Sequence, residues 1–203
     1  MNITTQLIKE LREKTGVGMM ECKTALAETN CDIPKAVEYL KRQGLKVAEK
    51  KQDKATRAGR VGAYIHTNGK VGAMIELGCE TDFVAKNEEF GELLKDLCLQ
   101  IAAMGPQFVS RTDLSSDILE KEKEFYRQEI AKEGDAKKPL QVIDKIVEGK
   151  LEKLFYSRKC LLDQVFIKDD KIKIGDLIKT NIAKFGENIV VKKFARFELG
   201  ATD

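Results

Sequence analysis

An α+β fold follows from three features of this sequence: one β-hairpin pattern, one late strand apolar on both faces, and several stretches with helical apolar spacing. Val61, Ala63 and Ile65 alternate before Asn68-Gly69, and Val71, Ala73, Ile75, Leu77 and Cys79 alternate after it. Asn-Gly supplies the positive φ angles of a type I′ turn, whose twist matches the flanking strands. From Ile189 to Leu199 the alternation returns, with Val190, Phe194 and Arg196 on one face and Ile189, Val191, Ala195 and Phe197 on the other. Hairpin and late strand together form an antiparallel sheet, with helices segregated beside it.

The chain opens with three short helices. Leu7, Ile8 and Leu11 predict a helix over 4–15, capped by Thr4 and stopped by Gly16. Gly18 opens a second run through Met19, Met20, Cys22, Ala25 and Leu26, ending near Asn30. Asp32, with Pro34 just inside, starts a third through Ala36, Val37 and Leu40, closed by Gly44. Residues 1–45 thus form a compact three-helix module. From Lys46 to Arg60 lysine alternates with alanine and acidic residues and shows no apolar face. Glu49 and Asp53 interrupt the positive run and no aromatic is present to stack bases, so 46–59 read as a solvated linker. An α+β core occupies 60–203.

Within that core, Phe90, Leu93, Leu94, Leu97, Ile101 and Met104 predict a helix that Gly105-Pro106 ends. Gln107 to Val109 read as a short extended piece. Two longer helical patterns follow, over 115–133 (Leu119, Phe125, Tyr126, Ile130) and 139–156 (Ile143, Ile146, Val147, Leu151, Leu154, Phe155). Gly134 and Pro139 punctuate them, which predicts a protruding antiparallel helical hairpin with a tip rich in Lys and Glu. Leu161 to Ile167 read as extended, Asp169-Asp170 as a turn, and Leu177, Ile178, Ile182 and Phe185 as a helix stopped at Gly186.

Composition narrows the function. Apolar content of 42% with 34% charged residues supports a sizeable core. No run approaches the ~18 apolar residues of a membrane span, and Met-Asn-Ile-Thr-Thr-Gln lacks the regions of a signal peptide, so a cytoplasmic location is expected. The net charge of +3 is too small to imply nucleic-acid binding. Cys22, Cys31, Cys79, Cys98 and Cys160 are widely spaced and suit reduced thiols better than a disulfide framework or a zinc site. His66 is the only histidine, with no carboxylate or cysteine at ligand spacing, so neither a metal centre nor histidine-based catalysis is expected.

One stretch concentrates the remaining signal. Cys79-Glu-Thr-Asp-Phe-Val-Ala-Lys-Asn-Glu-Glu-Phe90 lies between the hairpin and the next helix, where scaffolds commonly display functional groups; the residues alone favour the plainer reading, a helix start capped by Thr81 or Asp82 with Phe83 packed into the core. A thiol enzyme built on Cys79 would have Glu80 and Asp82 as neighbours, and acids raise a thiol pKa rather than lower it. An RNA-associated protein would explain the lysine-rich linker but lacks a basic face studded with aromatics.

Three stretches, in order, resemble the bacterial translation elongation factor Ts family. Thr15-Gly-Val-Gly-Met-Met-Glu-Cys-Lys-Thr-Ala-Leu26 is similar to its N-terminal signature, Cys79-Glu-Thr-Asp-Phe-Val-Ala-Lys-Asn87 to its second, and Gly186-Glu-Asn-Ile-Val-Val with Arg196-Phe-Glu to its C-terminal strand. The likeness spans essentially the whole chain. It implies a ubiquitin-associated-like N-terminal module, a dimerisation core, and no enzyme or cofactor. The activity implied is guanine nucleotide exchange on elongation factor Tu, with GDP and Mg²⁺ released so that GTP can enter. Carried over by motif, Thr81, Asp82, Phe83 and Val84 disturb the partner's Mg²⁺ site, with Phe83 as a wedge and Asp82 as its acidic neighbour. Val17, Gly18, Met19 and Met20 then dock on the nucleotide domain. The implied partners include no nucleic acid and no membrane. Longer relatives carry two core halves where this chain has room for one, so a homodimer is expected; the two apolar faces of the late strand also require cover.

Overall fold

A computed structural model describes residues 3–132 and 139–201. Its helices are α1 (Thr5–Thr15), α2 (Met19–Glu28), α3 (Ile33–Lys51), α4 (Asp82–Ala85), α5 (Glu88–Met104), α6 (Ser116–Lys132), α7 (Leu140–Lys150), α8 (Ser157–Lys159) and α9 (Ile174–Phe185). The strands are β1 (Ala58–Ile65), β2 (Val71–Cys79), β3 (Val165–Phe166), β4 (Asp169–Lys173) and β5 (Ile189–Glu198). An antiparallel sheet has the order β1-β2-β5, and β3-β4 form a separate hairpin, so the architecture is α+β. The chain divides into two compact units: Met1–Val61 with Glu76–Glu92 and Asp176–Val191, and Gly62–Ile75 with Leu93–Gly175 and Lys192–Asp203.

In the first unit, Thr4 caps α1 by accepting the Leu7 N–H, and Gly16 ends it at φ +67°. Asp32 caps α3 by accepting the Lys35 N–H at 3.0 Å. Leu11, Cys22, Ala25, Leu26, Ala36 and Leu40 form the shared core of these helices. The sequence places the end of the third helix at Gly44, but α3 continues to Lys51. Gly44 is buried rather than terminal, and a Cβ there would stand 3.0 Å from that of Ala183 on α9. Close packing, not helix termination, explains this glycine.

The hairpin connection differs from the expected type I′ turn. That turn needs positive φ at Asn68, yet among the described non-glycine residues only Asn30 and Cys31 have it. The Gly69 N–H donates to His66 O and the His66 N–H to Val71 O, both at 2.8 Å. Thr67 and Asn68 therefore make a type I turn, and Gly69 takes the left-handed conformation at φ +67°. With four residues inside the closing pair, the reversal of twist moves from the Asn-Gly pair onto glycine alone.

In the second unit, Gln100 and Gln164 are wholly buried and hydrogen-bonded. Gln100 Nε2 donates to Gln164 Oε1 at 3.1 Å and to Val165 O at 3.0 Å, and its Oε1 accepts the Ile167 N–H at 2.9 Å. Gln164 Nε2 donates to Arg158 O at 2.8 Å. This pinning shortens the expected extended stretch. Leu161–Asp163 form a 3₁₀ turn, β3 is only two residues, the reversal falls at Ile167-Lys168, and Asp169-Asp170 begin β4. The extended piece near Phe108 is a single bridge to Cys160.

Helices α6 and α7 pack as the expected hairpin and carry their own core of Tyr126, Ile130, Val147, Leu151 and Phe155. Arg127 pairs with Asp144 at 3.2 Å and Lys150 with Glu129 at 2.6 Å. A π-helical turn, Leu151–Tyr156, continues α7. Arg111 grips Asp163 and Glu152 and lies 4.3 Å from the Tyr156 ring centroid. Gly134 and the tip of the hairpin lie outside the described residues. No described helix is long and apolar enough to cross a membrane.

Candidate partner-binding site

The Cys79–Asn87 signature folds into a strand end and a single helical turn. Thr81 is the N-cap of α4, in extended backbone at φ −130°, with its hydroxyl accepting the Val84 N–H. One turn of helix cannot hold itself together by backbone bonds alone. Its fixity comes from Glu187, which accepts the Thr81 N–H at 3.0 Å and the Thr81 hydroxyl at 2.6 Å. From below, Cys79 Sγ donates to Thr81 O at 3.2 Å.

Behind the turn lies a second set of bonds. Glu80 Oε1 accepts the Asn188 N–H at 2.7 Å and the Lys51 ammonium at 3.3 Å. The Asn188 amide donates to Gln52 O at 3.1 Å and Lys54 O at 2.8 Å, and the residue is only 2% exposed. The Asn188 backbone N–H, with Lys51 adding to it, holds the Glu80 carboxyl below the usual glutamate range. Three segments distant in sequence therefore meet at one short turn.

What that turn presents follows from its register. Val84 and Ala85 face inward and are buried, at 5% and 3% exposure. Phe83 faces outward and is 83% exposed, with Asp82 exposed beside it. Of the four residues expected to act together, Phe83 and Asp82 form the displayed surface, Thr81 fixes the turn, and Val84 anchors it. An exposed phenylalanine on a rigid mount forgoes roughly 1.5–3 kcal/mol of burial. At that exposure Phe83 is not a core residue.

The second set of expected residues lies at the start of α2. Gly18 is its N-cap, Val17 is half-buried against the three-helix core, and Met19 and Met20 are 45% and 69% exposed. Met20 and Val17 border a groove whose other walls include Tyr39, Leu40 and Val47. Flexible thioethers beside an apolar groove make an adaptable contact. Burial pushes the Cys79 thiol up from its usual pKa, and the side chain is wholly enclosed, which removes it as a nucleophile. Among the described residues no cluster of His, Cys, Asp or Glu could hold a metal ion.

Sequence reading missed Glu187 and Asn188 as parts of this site. Both lie inside the Gly186–Val191 motif, so the signal was present as a motif without a role. The second and third signatures are one structure, because each supplies the other's hydrogen-bonding partners.

Comparison with known proteins fits this interlocking. A family model described as elongation factor TS matches residues 20–201. The chain belongs to the elongation factor Ts family. It is 54% identical over 202 residues to elongation factor Ts of Thermodesulfovibrio yellowstonii, covering 100% of this chain and 98% of the relative. Elongation factor Ts of Caldanaerobacter subterraneus is 51% identical over 198 residues, covering 98% of this chain and 97% of the relative. The Fervidobacterium nodosum protein of that name is 50% identical over 200 residues, covering 98% and 100%. Membership in the elongation factor Ts family places the chain among translation elongation factors.

Proposed function

We propose that this chain is a guanine nucleotide exchange factor for elongation factor Tu, releasing GDP and Mg²⁺ so that GTP can bind. The observation that carries the reading is Phe83, a large ring held out at 83% exposure on a turn fastened by Glu187 and its neighbours. Mg²⁺ in a GTPase demands near-ideal octahedral oxygen geometry and tolerates little displacement of its ligands. A ring and a carboxylate pushed against that shell weaken it without any acid, base or nucleophile. Exchange then needs only tighter binding to the emptied partner than to the filled one. By linkage, this chain weakens GDP as much as GDP weakens the chain. One buried ring supplies roughly 1.5–3 kcal/mol, about one to two decades in affinity. Residues 1–45, acting as a foot through Val17, Gly18, Met19 and Met20, supply further contact.

The working unit in this proposal is a homodimer. Ile65, Met74, Phe197 and Leu199 are 72%, 52%, 73% and 77% exposed and border one shallow groove of the second unit. The helical hairpin packs on its own core and leaves Phe197 and Leu199 open. A twofold copy of the same surface is the commonest cover for such a patch in an oligomer.

The test follows fluorescent GDP leaving the loaded GTPase when this chain and unlabelled nucleotide are added. Wild type should accelerate release and Phe83→Ala should lose at least about tenfold of that acceleration. A loss of the ~3–5 kcal/mol of stability typical of a core Phe→Ala change would show the ring to be structural and defeat the reading.

A further inference from the structure

The outer face of α3 carries a charge pattern separate from the contacts proposed above through Phe83, Val17, Gly18, Met19 and Met20. Residues 35–60 hold nine Lys or Arg against three Asp or Glu, a net +6 in a chain whose total is +3, so the rest sums to −3. Read as a linker, the lysines after Gly44 have no common direction. The continuation of α3 to Lys51 gives them one.

At 3.6 residues per turn, Lys35, Arg42, Lys46 and Lys50 fall within about 80° of arc. Ala36, Leu40, Gly44 and Ala48 occupy the opposite, buried side. The row runs for ~22 Å along the axis, and Lys54 and Arg57 follow it, both exposed. Glu38 and Glu49 lie to one side of the row and do not break it. Among the described residues Lys35 pairs with Asp32, whereas Arg42, Lys46, Lys50, Lys54 and Arg57 make no salt bridge. Unpaired cations in a straight row repel one another and gain most from a linear polyanion.

We propose that this row docks on the phosphate backbone of double-helical RNA. A membrane surface fits less well, because the apolar side of α3 is buried in protein and cannot enter a bilayer. Single strands fit less well too. Tyr39 falls within the same arc, but it is half-buried against the helical core, which leaves one partly covered ring and no series of aromatics on which successive bases could stack. Recognition is by shape and phosphate, without base readout.

The probe is a fluorescein-labelled RNA duplex of about two helical turns, titrated with the whole chain and read by anisotropy. If four cations each displace a counterion, the log–log salt slope is about −3.6, and affinity falls roughly a hundredfold between about 50 and 200 mM KCl. Arg42→Gln/Lys46→Gln/Lys50→Gln together should lower affinity at low salt by at least about tenfold and remove most of the slope. Lys171→Gln/Lys173→Gln on β4 should leave both unchanged. Should the triple variant fail to fold, Lys46→Gln alone should reduce the slope by about one. Equal binding by the triple variant, salt-independent binding, or no binding at low salt overturns the proposal. So does tighter binding to a single strand, or binding to anionic phospholipid vesicles without binding to the duplex.

Discussion

Phe83 and Phe197 are both exposed phenylalanines, and they are mounted in opposite ways. Phe83 sits on one helical turn gripped by the Glu187 side chain from the α9–β5 connection, with Val84 and Ala85 as anchors. Phe197 sits near the end of β5, an outer strand of the β1-β2-β5 sheet, with Leu199 as its apolar neighbour. A single ring on a stiff polar mount is suited to one indentation in a partner. A broad apolar patch on a regular strand is suited to a flat surface like itself. In the function proposed here, the mount, more than the ring, separates a wedge from an interface.

The largest expected effect comes from breaking the second mount. Phe197→Asp removes an apolar contact twice in a twofold dimer, so roughly 3–6 kcal/mol of association is lost. Sedimentation equilibrium at tens of micromolar should then give the 22.8 kDa of one chain, where wild type gives twice that mass. A wild-type mass of one chain ends the dimer proposal. Phe83→Ala should act the other way round, slowing GDP release about tenfold or more while mass and melting temperature stay unchanged. If both substitutions alter both readouts, the two regions are not functionally distinct.

A smaller effect sharpens the comparison by loosening the mount and leaving the ring. Glu187→Gln keeps one acceptor for Thr81 and loses the other, at a cost of about 1 kcal/mol. GDP release should slow severalfold, less than for Phe83→Ala, with no change in mass. An unchanged rate would mean that the grip of Glu187 on Thr81 does not position the wedge.

Much of this was legible in the sequence because it rests on local rules. Thr4, Gly16, Asp32 and Gly186 announced helix ends by capping chemistry, and β2 announced its buried face by alternation. Gly44 misled because a glycine that stops a helix and one that admits another helix look alike in one dimension. The Asn68-Gly69 turn misled because loop length, set by the closing pair, outranks the dipeptide. The outward direction of Phe83 and the inward one of Val84 depend on the register of a four-residue helix. Thr81 starts that helix by local capping, but its hold comes from Glu187, more than a hundred residues away in sequence, which no local pattern encodes.

The smallest effect concerns pH and the ground on which the wedge stands. Bonding to the Asn188 N–H and to Lys51 holds Glu80 below the glutamate range, so the folded state binds its proton less readily than the unfolded chain. The stability this gives is fully present above the unfolded pKa of about 4.3. It is lost as pH falls through the lower folded value, when the protonated carboxyl no longer accepts from both partners. Glu80→Gln carries no such titration. The stability difference between wild type and Glu80→Gln should therefore be constant from about pH 7 to pH 5 and shrink below about pH 4. Urea melts at a series of pH values measure it directly. A difference that grows on acidification would mean that Glu80 is protonated more easily in the folded state. The bonds to Asn188 and Lys51 would then not be what ties β2 to the start of β5 beneath Phe83.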